Sequence, residues 1–169
     1  RRSRRRSRRR SRRRSRRRKY RVGKAIGTPA KTPQYRPPYS GPLRHQDIWQ
    51  ALQRNDGYTI YRLVKEKGLN PNDFQHDPDY TLVYYAASWG YDDALRGLAN
   101  SGAKMDQPCQ RFGRTPLWNA AYMGKRDAVQ FLHENCGCPL DTADNSGKTP
   151  LQIAEEHSNE DVVKYIRNI

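Results

Sequence analysis

The chain has 169 residues, a formal net charge of +16 and an isoelectric point near 10.2. That length suits one modest folded domain with extra segments. No stretch reaches the roughly 18 to 20 apolar residues of a spanning helix, and the run from Tyr80 to Ala87 falls well short, which excludes helical membrane spans as the organising feature.

Charge is the first divider along the chain. Nineteen of the 33 basic residues lie in residues 1–42, which hold no acid, so the remaining residues carry 14 basic groups against all 17 acids, a net of −3. Residues 1–19 read RRSRRRSRRRSRRRSRRRK, with Ser3, Ser7, Ser11 and Ser15 at a four-residue spacing and nothing apolar to cover a core. Like charges at i,i+3 and i,i+4 disfavour a helix, so this tract is expected to be an extended, non-globular tail. Each arginine presents a planar donor fork matched to phosphate, and neutralising many phosphates releases counterions, so RNA or another polyanion is the expected partner. The candidate nucleic-acid contacts are Arg4, Arg5, Arg6, Arg8, Arg9, Arg10, Arg12, Arg13, Arg14, Arg16, Arg17, Arg18 and Lys19. The serine-arginine steps resemble splicing-factor tracts, which makes the four serines candidate phosphorylation sites. Modification of all four takes the tract from +15 to about +7 to +9.

Residues 20–42 change in character. Pro29, Pro33, Pro37, Pro38 and Pro42 exclude a regular helix or a central strand. Tyr20 and Tyr35 can stack on bases while Arg21, Lys24, Lys31 and Arg36 meet phosphates, so the segment is read as a binding extension or an extended linker. Fully extended, residues 1–42 reach about 140 Å.

From residue 43 onward a period of 34 residues emerges. TLVYYAASWG at 81–90, TPLWNAAYMG at 115–124 and TPLQIAEEHS at 149–158 align, as do Leu95, Val129 and Val163, and Leu98, Leu132 and Ile166, which are expected second-helix core positions. Thr115, Pro116, Leu117, Ala120, Ala121 and Gly124 resemble the ankyrin-repeat motif, whose threonine caps a helix, whose proline suits the first turn and whose alanines let helices approach closely. The resemblance implies an all-α fold, a short ankyrin-repeat solenoid of helix-turn-helix units with hairpin loops. Four repeats are expected: an N-terminal cap at 43–76, then 77–110, 111–144 and a C-terminal cap at 145–169. The motif's histidine is replaced by Tyr84, Trp118 and Gln152, which removes the usual donor of an interloop hydrogen bond.

Ankyrin domains bind protein partners through hairpin tips and the concave face of the first helices. Carried over by register, the candidate protein-binding residues are Tyr85, Trp89, Arg111, Phe112, Asn119, Tyr122, Met123 and Asn145, with Phe112 expected at an exposed tip. Gly147-Lys148-Thr149 lacks the glycine that a phosphate-binding loop needs at Thr142. Cys109, Cys136, Cys138 and His133 show no structural-zinc spacing, and the four histidines form no catalytic pattern, so neither a metal nor a cofactor nor catalysis is expected. Three cysteines without a disulfide framework predict a reducing compartment, with mitochondrion, plastid and nucleus all open. The leading functional expectation is an accessory subunit of a large ribonucleoprotein such as an organellar ribosome. The alternatives are a scaffold in an energy-transducing or cytoskeletal assembly and a nuclear serine-arginine regulator.

Overall fold

The structure, a computed structural model, describes residues 45–72, 75–77 and 79–169. The expected tail contacts and phosphorylation sites of residues 1–42 lie outside them. Eight α-helices are found among the described residues: α1 (His45–Gln53), α2 (Gly57–Lys67), α3 (Leu82–Trp89), α4 (Asp92–Asn100), α5 (Pro116–Tyr122), α6 (Arg126–Gln130), α7 (Pro150–Glu156) and α8 (Glu160–Arg167). The helix α6 runs on into a π-helical turn, Phe131–Asn135. Between α2 and α3 two short strands, β1 (Gln75–Asp77) and β2 (Tyr80–Thr81), form an antiparallel hairpin. The corresponding later connections are closed by Cys109 N–H donating to Arg114 O and Asp144 N–H donating to Lys148 O, each at 2.9 Å.

The helix starts follow from the threonines. Thr81, Thr115 and Thr149 accept hydrogen bonds from the backbone N–H three residues on, satisfying a donor that has no intrahelical partner. Pro116 and Pro150 occupy the first helical turn, where the missing N–H costs nothing. Asp56 caps α2 in the same way, and Gly68 and Gly90 end α2 and α3 in the left-handed conformation, at φ 65° and 71°.

Consecutive helices pair, and the pairs stack in two layers: α1, α3, α5 and α7 in one, α2, α4, α6 and α8 in the other. Leu52, Ile60, Leu63, Leu82, Leu95, Leu98, Leu117, Val129 and Leu132 are buried between them. The expected core positions hold for Leu95, Val129, Leu98 and Leu132, but Val163 and Ile166 in α8 are only half-buried. Among the described residues no further helix stacks on α8. Its fully buried residue is Val162, in step with Ala94 and Ala128.

Where α2 crosses α4 the two backbones touch at Gly57 and Gly97, and a methyl group on either residue would collide with the other helix. In an isolated helix alanine is better than glycine by about 1 kcal/mol. Here the order reverses: Gly97→Ala is expected to lower the stability by about 1 to 3 kcal/mol, seen as an earlier urea midpoint in helical circular dichroism. An unchanged or later midpoint would show that the helix contact yields freely.

Candidate protein-docking surface

Residues four apart on a helix share a face, and the first-helix layer uses this spacing for aromatic rings. In α3, Tyr85 and Trp89 lie 5.5 Å apart between ring centroids. Trp49 of α1 meets Tyr85 edge-on at 5.1 Å and Trp89 at 6.0 Å. Tyr80 and Tyr91 extend the cluster, Tyr80 against Tyr85 at 6.0 Å and Tyr91 against Trp89 at 5.3 Å. In α5, Trp118 stacks on Tyr122 at 5.8 Å, and Tyr122 meets His157 beyond α7 edge-on at 4.4 Å. These rings bury one another, yet Trp89 remains 38% exposed and Met123 44% exposed. The two sit 34 residues apart at the same repeat position, so an apolar line runs across α1, α3 and α5.

The hairpin tips are built around cations. The Arg114 guanidinium lies 4.8 Å from the Phe112 ring centroid and 4.4 Å from that of Trp118, and its Nε stands 3.5 Å from the Asp144 carboxylate. Arg111 lies over Phe112 at 5.1 Å. Phe112 is therefore half-buried, not the exposed tip that its place beside Gly113 suggested. Arg111 and Asn145 are exposed, and Asn145 ties neighbouring tips together: its N–H donates to Phe112 O at 2.9 Å and its side-chain amide to Arg111 O at 3.3 Å. Gly113, at φ 67°, has no room for a side chain because Asn145 fills that space.

Asp144 is buried beneath this tip. Burial pushes its carboxyl pKa up, but hydrogen bonds from the Ser146 hydroxyl at 2.6 Å and from the Lys148 and Ser146 N–H groups at 3.0 Å, together with Arg114, more than offset that and hold it below the usual carboxylate range.

The residues at the motif histidine position take three different roles. Trp118, buried, donates from its indole Nε1 to Lys148 O at 2.8 Å, so the interloop bond expected to be lost is made by another side chain. Gln152 accepts from the Thr149 N–H at 2.9 Å and completes a capping box. Tyr84 is buried beside Tyr80, and burial raises its hydroxyl pKa well above the ordinary value.

The candidate contacts therefore separate. Trp89 and Met123 are exposed on one face, with half-buried Tyr85 and Tyr122 beside them. Asn119 is a correction: it is buried, its amide donates to the Ser88 hydroxyl, and that hydroxyl donates to Tyr84 O at 2.7 Å, so it links α5 to α3. Sequence reasoning missed Trp49, Tyr91, His157 and Arg114. Trp49 carried a usable signal, an aromatic residue in a first helix, but its repeat lacks the threonine-proline motif that anchors the register.

The thiols are structural. Cys109 and Cys138 are buried, and burial pushes the half-buried Cys136 up to about 11 and Cys138 higher still, leaving little thiolate near neutrality. Among the described residues no group of three His, Cys, Asp or Glu side chains is placed to hold a metal ion.

A family model for ankyrin repeats, three copies long, matches residues 84–168, half of the chain. The chain belongs to the ankyrin-repeat family. Relatives include rat diacylglycerol kinase zeta, 28% identical over 125 residues, and human neurogenic locus notch homolog protein 4, 34% identical over 84. Mouse protein phosphatase 1 regulatory subunit 12A is 30% identical over 89 residues. These alignments take in 73%, 50% and 53% of this chain but only 13%, 4% and 8% of the relatives, so the likeness covers their repeats and not the whole proteins. Ankyrin repeats are protein-interaction scaffolds, and the exposed aromatic face of this array is a surface suited to that role.

Two outcomes follow from the tip. Trp118→Phe keeps the ring stacking but removes one of the two donors to Lys148 O, which retains the Asp144 N–H, and should cost about 1 kcal/mol in urea unfolding. The Asp144 contribution is complete above the unfolded carboxylate pKa of about 3.9 and is lost as the pH falls through its lower folded value. Asp144→Asn should therefore be less stable at neutral pH and show a shallower acid limb. Parallel acid limbs for the two proteins would contradict that assignment.

Proposed function

We propose that the chain is a non-enzymatic docking subunit of a large ribonucleoprotein, its repeat array holding a protein partner while residues 1–42 hold RNA. The observation that carries this reading is the partition of charge: the array has a net charge of −3, and the whole positive excess belongs to residues 1–42. An acidic array is a poor match for a phosphate backbone, whereas Trp89 offers a rigid, amphipathic anchor of the kind that concentrates binding energy at protein interfaces, and Met123 adds an adaptable apolar contact. The fifteen basic groups of residues 1–19 give tight, largely sequence-blind RNA attachment, and the repeats supply the selectivity. An organellar ribosome has both kinds of surface.

Deleting residues 1–19 should abolish the steep dependence of RNA affinity on salt, whose slope for single strands is about −0.7 per phosphate neutralised. A slope unchanged by the deletion contradicts the RNA reading. For the array, Trp89→Ala should weaken capture of the native protein partner by about 2 kcal/mol, some thirtyfold, and leave RNA affinity alone. Release of the protein from its native assembly by nuclease separates this reading from a scaffold in an assembly without RNA.

A further inference from the structure

The apolar line through Trp49, Trp89 and Met123 begins one helical turn inside α1, and the chain arrives at α1 from the Pro/Tyr segment. We propose that residues 35–42, YRPPYSGP, are an occupant of this face, docking in cis across α1, α3 and α5 and competing with the protein partner. The inference takes from the proposed function only that this face is a docking surface.

Four observations support that occupant. The segment ends at Pro42, three residues before α1 starts at His45 and seven before Trp49, whose ring lies 6.0 Å from that of Trp89. Its composition fits: prolines at 37, 38 and 42 favour an extended polyproline helix that loses little entropy on docking, and such helices bind aromatic-lined grooves. Tyr35 and Tyr39, four residues apart, bring the rigid amphipathic rings that pair well with Trp and Met. Its length fits too. Eight residues at about 3.1 Å each extend about 25 Å, and two steps between helices spaced about 8 to 10 Å apart, α1 to α3 to α5, span about 20 Å. Arg36 and the other basic residues upstream are also opposite in sign to an array whose net charge is −3.

The consequence is regulatory. A tethered segment acts at an effective concentration of about 1 mM, so even a contact with a dissociation constant of that order covers the face about half of the time and lowers partner affinity about twofold. Tighter contact raises that factor.

The test uses the full chain. Tyr39→p-benzoylphenylalanine places a photo-crosslinker in the segment, and illumination of dilute protein should join position 39 to peptides carrying Trp89 or Met123 within one chain. In parallel, 5-fluorotryptophan gives a resonance for Trp89, assigned by Trp89→Phe. In a chain carrying Tyr35→Ser, Pro37→Ser, Pro38→Ser and Tyr39→Ser that resonance should shift and become about twofold more accessible to a soluble paramagnetic probe, with buried Trp118 unchanged as the control. These substitutions lie outside the described helices. Crosslinks that join two chains, crosslinks scattered over the second-helix layer, or a Trp89 resonance identical in both proteins each overturn the inference. If the intramolecular crosslink forms but no protein partner is lost on Trp89→Ala, the proposed function and the competition fail, and the docking of residues 35–42 on this face stands.

Discussion

Neighbouring helix pairs in this protein are held by close approach, and close approach demands residues with almost no side chain. Gly57 and Gly97 bring the backbones of α2 and α4 into contact, and the alanines at 86, 87, 120 and 121 are buried where α3 and α5 stack. Each helix is short, between five and eleven residues, too short to be stable alone. Stability therefore resides in the interfaces, and an array of this kind gains its core only by adding neighbours. The larger apolar side chains, such as Leu95, Leu98 and Leu132, then fill the space between the two layers.

Polar links fix the register that small residues alone leave loose. Asn55 accepts from the Ala94 N–H at 2.9 Å, and Asn159 donates to the carbonyls of Ala121 and Tyr122 at 2.8 Å, each joining one helix pair to the next. At the hairpin tips Arg114 sits against Phe112 and Trp118 and faces Asp144, while the Trp118 indole bridges to Lys148 O. The buried face of the first-helix layer is thus committed to structure. What remains outward is the aromatic line, with Trp89 and Met123 at its most accessible points.

Much of this was legible in the sequence, for a physical reason. Capping threonines, first-turn prolines and paired alanines are needed at fixed places in every unit, so Thr81, Thr115 and Thr149 reveal the period and the helix starts at once. Positions whose role depends on a neighbouring unit were less legible. Asn119 occupies the register position of Tyr85, but a serine on α3 within reach of its amide turns it into a buried link. Phe112 lies at a tip but is covered by two guanidinium groups, a contact that no local pattern encodes. Val163 and Ile166 keep the core pattern of their repeat while standing at an end of the stack, where part of the burial is missing.

The functional account rests on the two halves of the chain meeting different partners, an acidic helical array with an apolar face and a basic segment without acids. Crosslinking mass spectrometry on the native assembly, combining ultraviolet RNA crosslinks with chemical protein crosslinks, tests this most directly. The account predicts RNA adducts confined to residues 1–42 and protein crosslinks from a partner concentrated around α3, α5 and the hairpin tips. RNA adducts on α3 or α5, or an assembly that yields no RNA adduct anywhere on the chain, would contradict it.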